Sequence, residues 1–226
     1  MKQYILDFKN YLEDLNQRLQ ENEKTKNSYY GFYIFDGGIL ENPDILFIGI
    51  NPGKGNGERK YEVNISEGER LSYLDKFDDE YNYHLANTIV SYLEKAGLES
   101  EQIKDLLNSR SVKMNMYSII TESESEIQKV IQMLGKEVWV EFYKKSMQFV
   151  FDVIKDIKPK IVFLEGKSVF YELVEGCMGV KNSWDIVDNF SIVESEELKT
   201  VFVSISRGRD GGSNKSVVGE VLSKYL

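Results

Sequence analysis

The sequence predicts an α/β fold: a three-layer α/β/α sandwich around a central, mostly parallel, four-stranded sheet. Four short apolar segments have the composition of buried strands, near residues 45–50, 112–118, 160–164 and 200–205. Continuous apolar runs of this kind are typical of parallel strands that are covered on both faces. Segments with helical periodicity separate them, and strands that alternate with helices form parallel sheets.

Length and composition indicate one soluble domain. The chain has 226 residues, 42% of them hydrophobic and 29% charged, which is ordinary for a globular protein with one full-sized core. We therefore expect a single domain over residues 1–226, in which residues 1–40 form an N-terminal helix and an aromatic, strand-like extension. The N-terminus does not resemble a targeting peptide, and no apolar stretch is long enough to span a bilayer. A cytoplasmic monomer without membrane contact is expected.

Cysteine, histidine and net charge restrict the class of ligand. The single cysteine, Cys177, excludes an intramolecular disulfide, and with His84 as the only histidine a zinc site built on Cys and His is not expected. No cofactor is predicted. The net charge of -9 argues against a broad nucleic-acid footprint, because Lys and Arg supply most non-specific affinity for phosphate. It leaves room for a small, local basic site.

The helices follow from apolar residues at three- and four-residue intervals, in segments 3–20, 84–97, 127–157 and 215–226. A shorter helix is expected from Ser100, and the segment 127–157 is expected to divide near Gly135. Another helix is predicted from Ser168 to Glu175, with Ser168 as its N-cap. Residues 56–79 are polar and predict a long loop, which is either functional or contains a short helix, and residues 176–190 are expected to be irregular.

The first predicted core strand ends in a glycine-rich turn that begins Asn51-Pro52-Gly53. Pro52 cannot donate to a sheet ladder, and Gly53 permits a positive φ and close backbone approach. Ligands of open α/β sheets bind beyond the carboxyl ends of the strands. Asn51 is therefore a candidate ligand contact, and the alternative is an ordinary exit from strand to loop.

Asn115 lies inside the second predicted core strand, among apolar neighbours. A buried amide needs hydrogen-bond partners. These are either nearby backbone groups or a ligand.

Two glycine-rich loops carry clustered cations. The cations of the two loops are Lys54, Arg59 and Lys60 in the first, and Arg207, Arg209 and Lys215 in the last. If both loops follow parallel strands, they meet at one end of the sheet and would rim one cleft. Backbone amides of the last loop would add an anion-binding nest. The alternative is a scatter of solvated charges, diluted by neighbouring acidic residues.

Several motifs, in order along the chain, resemble those of one enzyme superfamily. The sequence GINPG at residues 49–53, after an apolar strand, resembles the first motif of the uracil-DNA glycosylase superfamily, and is closest to its mismatch-specific uracil/thymine-DNA glycosylase branch. The segment His84–Asn87 resembles the HPAN helix of that branch. Asn115 lies on the strand where members often keep a base-recognising Asn. The segment Lys158–Gly166 resembles a later strand motif of the form KP..IV.LG. The resemblance covers most of the chain from residue 44 onward.

The resemblance implies a DNA-repair enzyme of base excision, which hydrolyses the N-glycosidic bond of uracil or a related damaged base in DNA. Asn51 would position the attacking water, since an amide has no useful basicity near neutral pH. Gly49, Ile50, Pro52 and Gly53 would line the substrate site of such an enzyme.

Base recognition would fall to residues outside this motif. Asn115 offers one donor and one acceptor, which match the O4 and N3–H edge of uracil. Tyr81 or Tyr83 would stack on the base, with core packing as the alternative for each. His84, at the start of a helix, is either a structural or surface residue or a participant in the chemistry.

The last motif departs from the superfamily pattern. Its last strand usually runs into a loop that begins His-Pro-Ser or Asn-Pro-Ser, whereas the segment Ser204–Gly212 contains neither His nor Pro. In an enzyme, Ser206, Arg207 or a backbone amide would have to stabilise the departing base instead. The departure and the acidic charge keep open a second class, a non-catalytic protein that binds a nucleobase, nucleotide or nucleic acid. The expected partner is thus DNA that contains uracil or damage, or a nucleobase or nucleotide ligand.

Overall fold

A computed structural model describes residues 1–53, 61–66, 71–77, 84–181, 190–205 and 215–226. They form an α/β structure with one mixed sheet of seven strands. The strands are β1 (Phe32–Asp36), β2 (Ile45–Gly49), β3 (Val63–Ser66), β4 (Ser111–Asn115), β5 (Ile161–Leu164), β6 (Phe190–Ser195) and β7 (Thr200–Ile205). The helices are α1 (Gln3–Glu21), α2 (His84–Lys95), α3 (Ser100–Ser109), α4 (Glu124–Gln132), α5 (Lys136–Ile157), α6 (Lys167–Phe170) and α7 (Lys215–Tyr225). A 3-10 helix (Ser72–Phe77) precedes α2, and a π-helix (Tyr171–Cys177) continues α6.

The strand order in the sheet is β3-β1-β4-β2-β5-β7-β6. The central strands β4, β2, β5 and β7 are parallel to their neighbours among these four. They correspond to the four strands that the sequence predicts. Strand β1 pairs antiparallel with β4 and parallel with β3, and β6 pairs antiparallel with β7. The carboxyl ends of the four central strands therefore lie along one edge of the sheet.

The sheet contains three strands in addition to the four expected, namely β1, β3 and β6. The aromatic segment, expected as an extension, joins the sheet as β1. Strand β3 lies within the stretch expected to be a loop, and none of its four residues is fully buried. Strand β6 is an edge strand with only two buried residues. Edge strands need no continuous apolar run, so their sequences resemble loops.

The apolar residues of β2, β5 and β7 alternate between two separate core clusters. In β2, Leu46 and Ile48 pack in a cluster with residues of α1, α4 and α5, whereas Ile45 and Phe47 pack in a cluster with residues of α2, α3 and α7. Successive side chains of a strand point to opposite faces. Each face of the sheet is therefore covered by its own helices, which explains why β2 is apolar at every position.

Most predicted helix boundaries are confirmed, and two local predictions are wrong. Gly135, with φ 138°, separates α4 from α5, and Gly97, with φ 89°, follows the end of α2. Helix α6 begins at Lys167 with Gly166 as its N-cap, so Ser168 is not the cap. The predicted strand 112–118 is shorter than expected, because β4 ends at Asn115 and the chain then turns toward Thr121.

None of the described helices has the length and apolar character that crossing a membrane requires.

Candidate functional site

The candidate site lies at the carboxyl end of β2, where the chain turns from Gly49 to Gly53. Gly49 and Pro52 are buried, and Ile50 packs in the core cluster of α1, α4 and α5. Asn51 is half-buried between them, and Gly53 is exposed. The apolar anchors on both sides of Asn51 hold its backbone, so this side chain is presented from a fixed turn.

The side-chain amide of Asn51 is oriented by two hydrogen bonds. Its Nδ2 donates to Thr121 Oγ1 at 3.1 Å and to the Pro52 carbonyl oxygen at 3.2 Å. Thr121 is buried, and its hydroxyl donates in turn to the Ser123 carbonyl oxygen at 2.8 Å. The donor side of the Asn51 amide is therefore engaged by protein, and its Oδ1 acceptor forms no hydrogen bond within the described parts of the chain.

Asn115 lies beside this turn because β2 and β4 are paired in register. Asn115 is aligned with Gly49, and the ladder continues beyond both strands through Met116 N to Gly49 O at 2.8 Å and Tyr117 N to Ile50 O at 2.9 Å. The structure thus brings Asn51 and Asn115 together at neighbouring strand ends.

The Asn115 side chain is buried without a bonded partner. It is 6% exposed, and its carboxamide forms no hydrogen bond to any residue that the structure describes. Its polar atoms keep some access to solvent. Such a group is suited to a ligand or a bound water, which would supply the missing partners.

Glu165 is a further polar residue at this edge, and sequence reasoning assigned it no role. It follows β5 directly, is 1% exposed, and its backbone N donates to Ile48 O at 2.9 Å. Strand β5 pairs with β2, so Glu165 lies level with Gly49 on the other side from Asn115. The signal in the sequence was an acidic residue placed immediately after the apolar run Ile161–Leu164.

A buried ion pair supports β4 two residues before Asn115. Lys113 Nζ lies 2.9 Å from Asp36 Oδ2 and donates to Ser72 Oγ at 3.1 Å, and Ser72 Oγ donates to Asp36 Oδ2 at 2.5 Å. The ammonium group also lies 4.2 Å from the centre of the Tyr73 ring. This network joins β1, β4 and the 3-10 helix. No local sequence pattern indicates that Lys113 is buried.

An aromatic cluster with perturbed ionisation lies on the opposite face of β4. Tyr117 donates a hydrogen bond from its hydroxyl to Glu172 Oε2 and packs against Trp139 and Phe142. Burial raises the pKa of Glu172, although the Tyr117 hydrogen bond opposes this shift. Burial also raises the pKa of Tyr143 to about 12, helped by its contact with Cys177. This cluster stabilises the segment that follows Asn115.

Many of the predicted site residues cannot be placed. The residues that lie outside the described part of the chain are Lys54, Arg59, Lys60, Tyr81, Tyr83, Ser206, Arg207 and Arg209. Lys215 is the first residue of α7, but the position of its side chain is not described. His84 is the first residue of α2 and is exposed. The structure therefore describes the residues of the candidate site at the ends of β2, β4 and β5, and not those of the two glycine-rich loops.

Metal ligands are not clustered in the described residues, where no group of three or more His, Cys, Asp or Glu side chains could hold an ion.

Comparison with protein-family models and with curated proteins gave no match to this chain.

Proposed function

We propose that this chain is a uracil-DNA glycosylase-like enzyme, which hydrolyses the N-glycosidic bond of uracil or a related damaged base in DNA. The observation that carries the proposal is the carboxamide of Asn115, which forms no hydrogen bond to any described residue, beside the oriented amide of Asn51. Both lie at the carboxyl ends of adjacent parallel strands, where ligands of α/β sheets bind.

The proposed fold is the three-layer α/β/α sandwich of that superfamily, formed as a single domain by residues 1–226. Its support is the parallel arrangement of β4, β2, β5 and β7 and the separate set of helices on each face of the sheet. In this proposal β1, β3 and β6 are additions at the two edges of the superfamily sheet.

Asn115 would read the base. A glycosylase rotates its target nucleotide out of the stack and reads the base edge in a pocket. The Asn115 amide has one acceptor and donors side by side, so it pairs with a carbonyl next to a ring N–H, such as O4 and N3–H of uracil.

Asn51 would position the water. Because Nδ2 is held by Thr121 and Pro52, Oδ1 is the atom left to accept a hydrogen bond from a water molecule. The water oxygen bonds to C1′ of the sugar as the C1′–N bond breaks, and the bonding pair leaves with the base. The water gives its proton to solvent, and the base anion takes one up. Ser206, Arg207 or a backbone amide would stabilise this anion.

DNA phosphates would bind the cations of the two glycine-rich loops, Lys54, Arg59, Lys60, Arg207, Arg209 and Lys215. The support is that the described chain leads into both loops from the same edge, because β2 and β7 run parallel to β5. The chain has a net charge of -9, so these cations would contact only the few phosphates around one extruded nucleotide.

The second candidate is a non-catalytic protein that binds a nucleobase, nucleotide or nucleic acid through the same site. The segment Ser204–Gly212, without His or Pro, and the acidic net charge favour it. A fold alone does not distinguish the two.

An excision assay separates the candidates. Oligonucleotides that carry uracil, mismatched thymine, hypoxanthine, xanthine or a damaged guanine would be incubated with excess protein and then cleaved at abasic sites. The proposal expects strand cleavage at one or more of these bases, and the binding-protein alternative expects none. Asn64→Asp, on β3 and away from the site, serves as the control variant.

A further inference from the structure

Strand β3 forms an outer edge of the sheet, because it is the last strand in the strand order and its partner among the described strands is β1. In the parallel ladder between them Phe32 is aligned with Val63, and Phe32 N donates to Glu62 O at 2.8 Å. The residues of a parallel strand bond alternately to its two sides, so Glu62 and Asn64 bond toward β1. The backbone N–H and C=O groups of Val63 and Ile65 therefore point away from the sheet, where no strand of the described chain follows.

This edge is held in place from its inner side. Tyr61 O accepts hydrogen bonds from Asn16 Nδ2 at 2.7 Å and from Gln20 Nε2 at 3.0 Å, both on α1. Gly31 has φ 115°, and a Cβ at this position would lie 2.8 Å from Glu62 O, so only glycine allows this close approach. An edge that is fixed in this way can accept a further strand with little loss of its own conformational freedom.

An open groove of about 430 Å³ lies between this edge and α1. None of the residues that line it is basic. The residues that α1 and the strand contribute to its lining include Glu13, Gln17, Gln20, Glu62, Val63 and Asn64. The groove therefore combines an unpaired strand edge with polar and acidic side chains.

The amide side chains of the groove present acceptors. Gln17 Nε2 donates to Glu21 Oε1 at 2.8 Å, and Gln20 Nε2 donates to Tyr61 O at 3.0 Å. These bonds engage the donor side of each amide and leave its Oε1 as the acceptor. An occupant of the groove must therefore supply hydrogen-bond donors.

Two carboxylates add negative charge. Glu62 is exposed and has no cationic partner among the described residues, and Glu13 Oε1 lies 2.5 Å from Lys9 Nζ. A carboxylate has about four acceptor sites, so Glu13 can hold Lys9 and still accept from an occupant. A second copy of the chain would bring the same acceptors and the same negative charges, which disfavours pairing between copies at this edge.

We propose that the edge of β3 and the facing surface of α1 form a docking groove for a basic, extended peptide segment of a partner protein. The segment would add as a strand beside β3, with its backbone bonded to Val63 and Ile65 and with Lys or Arg side chains near Glu13 and Glu62. In strand addition the main-chain bonds give affinity and the side chains give specificity. The inference is independent of the proposed glycosylase activity, because it uses no residue of the candidate site.

A labelled peptide of alternating lysine and valine, blocked at both ends, tests the groove by fluorescence anisotropy with the full chain. A peptide of alternating glutamate and valine tests the charge. Two N-methylated forms of the lysine peptide, modified at every lysine or at every valine, test the backbone. We expect binding of the lysine peptide, at least about tenfold weaker binding of the glutamate peptide, and at least about tenfold weaker binding of one N-methylated form.

Protein variants locate the binding surface. Glu62→Gln should weaken binding of the lysine peptide by about threefold, whereas Glu197→Gln, in the turn between β6 and β7, should bind it as wild type does. Ile65→Pro removes an outward N–H and no bond to β1, and should weaken binding by about tenfold in a protein shown to be folded by thermal melting.

Equal binding of the lysine peptide and both N-methylated forms would overturn strand addition, because charge alone would then account for the affinity. Competition by spermine at an affinity equal to that of the peptide would likewise overturn the proposal in favour of a small polycation. Absence of binding of the lysine peptide would overturn the groove itself. Each of these results leaves the proposed excision activity untouched, since that is measured separately on oligonucleotides.

Discussion

The amide of Asn51 and the hydroxyl of Thr121 are joined by a hydrogen bond of 3.1 Å, which ties the turn after β2 to the segment after β4. Thr121 is buried and is itself held by the Ser123 carbonyl, so it can fix the direction of the Asn51 amide. A side chain that must place a water molecule gains most from this kind of fixed orientation.

Thr121→Val should therefore slow the proposed reaction without weakening binding. Valine keeps the shape of threonine but removes the acceptor for Asn51 Nδ2. We expect a loss of about tenfold in the single-turnover excision rate at saturating DNA, a dissociation constant close to wild type, and recovery of the rate in Thr121→Ser. A valine variant with the wild-type rate would show that this hydrogen bond does not serve the chemistry.

Asn115→Asp should weaken binding of the base. The change removes the amide donor and adds a negative charge toward the carbonyl that Asn115 would contact. The dissociation constant for the preferred nucleoside or base-containing oligonucleotide should rise by about tenfold or more. The matched change Asn64→Asp on the partly exposed strand β3 should have no effect. Equal binding by the two variants would remove Asn115 from the ligand site.

Asp36→Asn should destabilise the whole fold. The Asp36 carboxylate lies 2.9 Å from Lys113 Nζ, and both side chains are largely buried. Breaking one side of a buried pair leaves a charge without its counter-charge, which costs about 3 kcal/mol. Urea denaturation should show this loss in the free energy of unfolding. Glu101→Gln, in an exposed pair with Lys104, should leave the urea midpoint almost unchanged, and a similar shift in both variants would refute the assignment.

Glu172→Gln should change how stability depends on pH. Burial raises the pKa of Glu172, so the folded protein holds this proton more tightly than the unfolded chain does. The free energy of unfolding should then fall as the pH rises from the usual carboxyl range through the raised pKa. Denaturation curves over this pH range should show that fall in wild-type protein and a smaller fall in Glu172→Gln. Identical pH profiles for the wild-type protein and Glu172→Gln would contradict a raised pKa of Glu172.

The sequence was informative where one physical cause determines the structure. The apolar run of β2 and the helical periodicity of α1 and α5 each follow from burial, and the placement of Asn51 and Asn115 at neighbouring strand ends follows from two parallel strands. Glu165 and Lys113 were missed because local sequence contains no information on what lies across the sheet from them. Strands β3 and β6 were missed because an edge strand is defined by its neighbour rather than by its own composition. The partnership of Asn51 with Thr121 joins residues 70 positions apart, so no local pattern shows it.

The most direct test of the proposed activity is single-turnover excision by wild-type protein and by Asn51→Ala, on the oligonucleotide that the wild-type protein binds most tightly. The account predicts release of the free base and an abasic site with wild-type protein. It also predicts a rate at least about a hundredfold lower for Asn51→Ala, because the attacking water loses its positioning group. If wild-type protein binds this oligonucleotide but releases no base, the result would contradict the proposed glycosylase activity and would favour the non-catalytic binding protein.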